Sequence, residues 1–338
     1  MTNPIKNKDA FQDYNVKPPA LVHSTSAHTL IDLTIPTDCA GLRLDQALAK
    51  LLPNWSRSRL QTWIAENRIM LDGQTTTVKQ KVWGNEHVQI SPQNTAAESM
   101  HTAEDISLNV IDEDDVLIII NKPAGLVTHP GNGNWQGTLL NALLHHAPQL
   151  GNVPRAGIVH RLDKNTSGLL VVAKTIEAQT SLVRQLQQHT VKRDYMALVL
   201  GEITQPGSID APIGRHPIHR TKMAVTATGK PARTHYQVIE NFEGCTLLQC
   251  SLETGRTHQI RVHMSSIGYP LVGDPVYGGK PKNTQQIIGQ LLINFPRQVL
   301  HAEKLALTHP QTQQILTWQA VVPDDISDLL RTLRQHSR

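Results

Sequence analysis

The chain has 338 residues, 39% of them hydrophobic and 18% charged, with a formal net charge of +4. Such a length holds two domains at ~100–200 residues each, and the composition excludes a disordered polyelectrolyte. Apolar runs such as Val116 to Ile120 are far below the ~20 residues that span a bilayer, so no membrane partner is expected.

Residues 1–30 are rich in Thr, Ser, Asn and His and carry no sustained period. They are expected to form a flexible arm. They lack the apolar core of a signal peptide. Cys39, Cys245 and Cys250 make neither a metal spacing nor a paired framework, so a reduced, cytoplasmic protein is expected.

A small module follows over residues 31–91. Leu44, Ala47, Leu48, Leu51 and Leu52 recur at helical spacing and stop at Pro53. Ser56 is placed to cap a second helix, whose Leu60, Trp63 and Ile64 share a face. Ile69-Met70-Leu71 then runs into Asp72-Gly73, a tight-hairpin signal, and Val82, Val88 and Ile90 suggest further short strands. This order resembles the S4 RNA-binding domain. The segments that carry the likeness are Arg43-Leu44-Asp45, Ser56-Arg57-Ser58-Arg59-Leu60 and Asp72-Gly73-Gln74. The resemblance implies that Arg43, Arg57, Arg59 and Arg68 contact RNA.

Residues 92–105 have the composition of a linker. A large domain is expected over 106–330, with a short tail at 331–338. Its charge is uneven. Ser91 to Asn121 carries seven acidic residues and no Lys or Arg, whereas Gly151 to Met264 carries 14 Lys and Arg against eight Asp and Glu. A modest total can therefore hide a basic face suited to a polyanion. Val116 to Ile120 predicts a strand covered on both faces, and Thr138 to His145 a helix. Further strands are expected at Gly168–Ala173, Tyr195–Leu200, Thr234–Ile239 and Cys245–Glu253. Thr257 to Ile267 fits a helix ending before Gly268. Strands bunch without regular intervening helices, so the class is α+β rather than a doubly wound sheet.

Three segments of this domain carry chemistry-bearing residues. The run His160-Arg161-Leu162-Asp163-Lys164-Asn165-Thr166-Ser167-Gly168 sets one carboxylate between two cations, ahead of a buried strand. Arg161 and Lys164 favour its ionised form. Lys192-Arg193-Asp194-Tyr195 is a basic turn with a tyrosine whose ring can stack on a base. Thr254 to His263 crowds Arg256, His258 and Arg261 around a helix start. The helix dipole favours anions there, so an arginine in that place is expected to be held by a carboxylate or a phosphate.

Together these segments resemble the motifs of the RluA family of pseudouridine synthases. Asn121-Lys122-Pro123-Ala124-Gly125-Leu126-Val127 with His129-Pro130-Gly131, and Leu271-Val272-Gly273-Asp274-Pro275-Val276-Tyr277-Gly278, fit the same family. The likeness runs from about Gly41 to Asp325. Val153-Pro154-Arg155-Ala156-Gly157 and Arg215-His216-Pro217 look closest to the RluD branch, which modifies 23S ribosomal RNA in the stem-loop called helix 69. Two features depart from the pattern: Asp194 stands where many members have Glu, and the arm is longer than is usual.

The resemblance implies a mixed, mainly antiparallel β-sheet with flanking helices, and conversion of a flipped-out uridine to pseudouridine without any cofactor. Asp163 is then the catalytic carboxylate, by attack on C1′ or by removal of a C2′ proton. Arg261 is its cationic partner. Tyr195 lies against the uracil and helps remove the C5 proton, directly or through water. Arg161 fills the gap in the RNA stack or binds phosphate, and Arg256 and His258 are further RNA contacts. The partner implied is 23S ribosomal RNA, in the large subunit or its precursor, and the protein is expected to act as a monomer. A non-catalytic RNA-binding protein would have lost Asp163, Tyr195 or Arg261. A carbohydrate glycosidase normally needs two flanking carboxylates. No metal is expected, because His145-His146, His216/His219 and His258/His263 match no zinc spacing.

Overall fold

The computed structural model describes residues 30–52, 55, 57–91, 102–131, 134–281 and 284–336. Most of the expected arm, residues 92–101 of the expected linker, and the Ser56 cap lie outside the described residues. The chain divides into two compact units, Met1–Thr95 and Ala96–Arg338.

In the first unit β1 (Ile31–Thr34) precedes two helices, α1 (Leu44–Leu51) and α2 (Arg57–Ala65). Then come β2 (Ile69–Leu71), β3 (Gln74–Thr75) and β4 (His87–Ile90), in an antiparallel sheet of order β1-β4-β2-β3. Asp72 and Gly73 both take positive φ, 49° and 73°, which is what a two-residue hairpin turn demands. Leu44, Leu48, Leu60, Trp63, Ile64 and Ile90 form one buried cluster. The predicted helical periodicity supplies one side of it and the short strands supply the other.

The second unit opens with β5 (Val110–Glu113), β6 (Leu117–Lys122), α3 (Leu139–His146), β7 (Ser167–Ala173), α4 (Ile176–Gln187) and β8 (Lys192–Leu200). It continues through β9 (Gly207–Asp210), the separate hairpin β10 (Ile213–Arg215) and β11 (Met223–Val225), β12 (Arg233–Phe242) and β13 (Cys245–Leu252). It closes with α5 (Gln259–Ser266), α6 (Gln286–Ile293), β14 (Leu300–Thr308), β15 (Ile315–Gln319) and α7 (Asp324–His336). Nine strands make one sheet of order β5-β6-β7-β14-β8-β13-β12-β9, with β15 also paired to β14. Among the described strand pairings of this sheet, only β7–β14 is parallel.

β7 is buried at every position, and alternate residues of β6 and β7 serve two cores. Ile118, Ile120, Leu170 and Val172 face Leu139, Leu140 and Leu143 of α3. Leu117, Ile119, Leu169 and Val171 pack in the cluster of Ala178 and Leu182 of α4. A strand buried on both faces reads as a continuous apolar run, which is why Val116–Ile120 shows no alternation. Gly168 has φ +113°, and a Cβ there would lie 2.2 Å from the Ala302 carbonyl oxygen. Glycine thus brings β7 against β14 at the end that carries the Asp163 loop.

Three boundaries differ from expectation. Residues 331–336 of the expected tail are instead the last part of α7, whose Ile326, Leu329, Leu330 and Leu333 are buried. Their i, i+3, i+4, i+7 spacing carries the helical signal. The end of the expected linker is tied to the second unit: Asn141 Nδ2 donates to the Thr102 carbonyl at 2.9 Å, and Gly137 N–H donates to the Glu104 carboxylate at 3.0 Å. Finally, α5 begins at Gln259 rather than Thr257, because His258 takes a left-handed conformation with φ 58°.

Candidate active site

The loop that carries Asp163 is fixed through its carbonyls. Leu162 O accepts from Thr128 Oγ1 at 2.9 Å, and Asp163 O accepts from Thr166 N–H at 3.0 Å. Lys164 O accepts from Gly125 N–H at 2.8 Å and from Lys122 Nζ at 3.2 Å, and Asn165 O from Arg297 Nη1 at 3.3 Å. Lys122, at the end of β6, is fully buried and also donates to Pro123 O and Leu126 O, at 2.7 and 3.0 Å. Three carbonyls thus meet the three N–H donors of an ammonium. Burial pushes this lysine down to about 7, although the nearby Asp163 charge pulls the other way. A loop held at four successive carbonyls presents its carboxylate without further reorganisation.

Arg261 lies one turn into α5 and is 4% exposed. Its Nε and Nη2 donate to the two oxygens of Asp274, at 2.7 and 2.9 Å, and its Nη1 donates to Asp163 Oδ2 at 2.8 Å. Asp274 Oδ1 also accepts from Val276 N–H and Tyr277 N–H, at 2.8 and 3.0 Å. Burial alone would raise the Asp274 carboxyl, but Arg261 and these backbone donors hold it below its ordinary value. Burial would likewise weaken the guanidinium, yet Asp274 and Asp163 hold it above its ordinary range. The bidentate Asp274 grip therefore aims one remaining N–H at Asp163. The Asp163 side chain is 17% exposed where that of Asp274 is closed off. Its second oxygen, Oδ1, has His258 Nε2 at 3.8 Å.

Asp163, Arg261, Tyr195, Arg161, Arg256 and His258 all line one cavity of about 560 Å³. Arg155 and Arg193 line it too, and Asp163 is the one acidic residue of its wall. Tyr195, on β8, sits in register between Cys250 of β13 and Ala302 of β14. Burial raises its phenol above the ordinary value, with Arg193 opposing, so the hydroxyl stays protonated at neutral pH. Arg193 is 7% exposed, and a Cβ on Gly255 would lie 2.7 Å from its Nη1. A concave, arginine-rich wall around one carboxylate and one buried ring suits an anionic nucleotide.

Six of the sequence-predicted site residues thus converge. The other four belong to the first unit. There Arg43 Nε and Arg57 Nε donate to the fully buried Asp45, at 3.0 and 2.8 Å. Both arginine side chains stay partly exposed, 36% and 45%. Arg68 pairs with Glu66 at 3.1 Å. The Arg59 side chain lies outside the described residues. Sequence reasoning assigned no role to Lys122, Asp274, Tyr277 or Arg297. The first three stand inside motifs that carried the family resemblance, but their partners are set by folding.

No described helix is long and apolar enough to cross a membrane. Among the described residues no group of His, Cys, Asp or Glu is arranged to hold a metal ion.

Comparison with known proteins gives a consistent result. Residues 116–266 match the family model for RNA pseudouridylate synthase, and residues 42–88 match the S4 domain. The chain is similar to the ribosomal large subunit pseudouridine synthase D of Nitrosomonas europaea, 59% identical over 99% of this chain and 97% of that protein. The protein of the same name from Escherichia coli K12 is 50% identical, over 89% of this chain and 93% of its own. Among solved structures, the human RNA pseudouridylate synthase domain containing 1 aligns with TM-score 0.51 and 25% identity. That alignment covers 70% of this chain and 98% of the human one.

Proposed function

This chain belongs to the RluA family of RNA pseudouridine synthases, and on that premise we propose that it isomerises uridines of 23S ribosomal RNA, with Asp163 as the catalytic carboxylate. The names of its relatives and the S4 match support a large-subunit ribosomal substrate. The likeness to the RluD branch supports the helix 69 stem-loop as the site of modification.

The reaction breaks C1′–N1, turns the uracil and joins C1′ to C5. The C5 proton leaves and N1 regains a proton, so nothing is added or lost overall. A base must leave its stack to reach such a cavity, at a cost of a few kcal/mol. Arginines at the rim, Arg161 and Arg256 among them, offset this by holding phosphates or filling the gap in the stack. Asp163 acts on the ribose through the oxygen that Arg261 leaves free, by attack on C1′ or by removal of the C2′ proton. Tyr195 lies against the uracil. Because burial keeps its phenol protonated, it passes the C5 proton through its hydroxyl or a water rather than as a standing phenolate. Arg43, Arg57, Arg59 and Arg68 grip the RNA from the S4-like unit, and the protein works as a cytoplasmic monomer.

The observation that carries this reading is the 2.8 Å contact of Arg261 Nη1 with an Asp163 carboxylate that remains open to the cavity. The test is tritium release from C5-labelled ribosomal RNA. Asp163→Asn is expected to lose about 10³-fold or more of the natural rate. Equal release by both proteins would remove Asp163 from the chemistry. No release by the natural protein would favour a non-catalytic RNA-binding role.

A further inference from the structure

We infer that His258 is a second positioning residue for the catalytic carboxylate, held in one tautomer by Tyr277 and through it by the backbone of β11. The inference rests on the reading of Asp163 as the reacting group. Arg261 accounts for only one of that carboxylate's oxygens. The other, Oδ1, is the one left for the substrate, and something must keep it from rotating away.

The contacts lead from β11 inward. Met223 N–H donates to the Tyr277 hydroxyl oxygen at 2.8 Å. That hydroxyl lies 2.9 Å from His258 Nδ1. A phenol that already accepts from a backbone N–H completes its bonding by donating its own proton, and His258 Nδ1 is the acceptor at hand. Nδ1 is then unprotonated, and the imidazole carries its hydrogen on Nε2. Nε2 is the atom that faces Asp163 Oδ1, at 3.8 Å. This separation is long for a direct bond. It suits a charge-dipole contact that tightens when a bound ribose excludes water.

The geometry around the pair leaves little freedom. The two rings meet edge to face with centroids 5.6 Å apart, and the Arg261 guanidinium lies 5.1 Å from the Tyr277 ring centroid. Tyr277 N–H is bonded to Asp274, the same residue that grips Arg261. One tyrosine therefore touches both supports of Asp163: its backbone and ring support the Arg261 side, and its hydroxyl supports the His258 side. The left-handed backbone at His258, φ 58°, turns the imidazole toward the cavity just before α5 begins. Burial keeps that imidazole below its ordinary value despite the facing Asp163 and Asp274 charges, with Arg261 and Arg161 acting in the same sense as burial. It is therefore neutral at neutral pH, as a single tautomer requires. This role is compatible with the sequence reading of His258 as an RNA contact, since His258 also lines the cavity.

The test compares four variants in the full-length protein by tritium release under saturating and limiting RNA. His258→Asn suits a left-handed backbone but is too short to reach Asp163. His258→Gln restores an N–H at the reach of Nε2. Tyr277→Phe removes only the hydroxyl. His258→Asn and Tyr277→Phe are each expected to lower kcat about tenfold, with KM within about twofold and unchanged thermal melting. His258→Gln should recover to within about threefold of the natural kcat. The double variant His258→Asn/Tyr277→Phe should be no slower than His258→Asn alone, since both act through one contact. An unchanged kcat in His258→Asn, a loss confined to KM, or an additive loss in the double variant would each overturn the relay. Release by Asp163→Asn equal to that of the natural protein is a different failure: it removes the catalytic assignment itself, whereas the four results above decide the relay.

Discussion

Each unit of this protein gathers arginines around an aspartate, with opposite consequences. In the S4-like unit, Asp45 is closed off from solvent and takes bonds from Arg43, Arg57 and Gln61. The two arginines remain partly in water, so the carboxylate serves the cations. In the synthase unit the order is reversed. Arg261 is buried and spends two of its donors on Asp274, and the third presents Asp163 to a cavity. Here the cation serves the carboxylate. The same pair of side chains organises a surface in one place and the proposed reacting group in the other, and which partner is buried decides between them. Two other arginines follow the same rule. Arg297, 6% exposed, is gripped by Asp325 at the start of α7 and holds the Asn165 carbonyl. Arg334 merely pairs with Glu240 at the surface, a contact worth ~1 kcal/mol or less.

The sharpest way to break this comparison is at Asp274. Asp274→Asn keeps the shape but removes the charge that aligns Arg261. Turnover should fall about 10²-fold, since loss of alignment alone has effects of that size. Stability should fall by about 3 kcal/mol, as expected when a buried ion loses a partner. Tritium release and urea unfolding measure the two. Turnover within twofold of the natural protein would mean that Arg261 needs no second carboxylate.

The matching change in the other unit is Asp45→Asn. Its arginines can turn to water, so the loss should be smaller, about 2 kcal/mol, and confined to the S4-like unit. Hydrogen exchange of amides in α1 and α2 should rise while those of β7 and β8 stay protected. A fall in kcat as large as that of Asp274→Asn would erase the distinction between the two clusters.

The smallest expected effect is an acid one shared by both. Asp45 and Asp274 each sit below their ordinary value of 3.8: burial would raise them, but hydrogen bonds and charge from Gln61, Arg57 and Arg43 at Asp45, and from Arg261 and two backbone N–H groups at Asp274, overcome it. A carboxyl lowered in the folded state contributes stability that is complete above its unfolded value. That stability is lost as pH falls through the folded one. Thermal melting should therefore be flat above about pH 5 and decline below about pH 4. Asp274→Asn should lessen the decline of the synthase unit only. An unchanged slope in that variant would show that other carboxylates control the acid limb.

Much of this was legible before folding. Leu44, Leu48, Leu60 and Ile64 announce α1 and α2, Asp72-Gly73 announces its hairpin, and Val116–Ile120 announces a strand covered on both faces. The missed elements show where local patterns stop. α7 carries a clear helical period, yet its last residues, Arg331 to His336, are polar apart from Leu333 and read as tail. β14 pairs with three strands at once, and its burial follows from neighbours on both sides rather than from alternation of its own.

For the site, local sequence determined which residues were available: a carboxylate between cations at Asp163, a tyrosine at a strand mouth, arginines at a helix start. Periodicity, capping and turn propensity act over a few residues, and such features survive in any fold. The pairing of Asp163 with Arg261, 98 positions apart, is of another kind. It depends on Gly168 letting β7 meet β14 and on a left-handed His258 setting the start of α5. It depends also on Asp274 arriving from a third segment to hold the guanidinium. Whether a charge becomes a surface contact or a catalytic group depends on which partner is desolvated, and desolvation is a property of the packed whole.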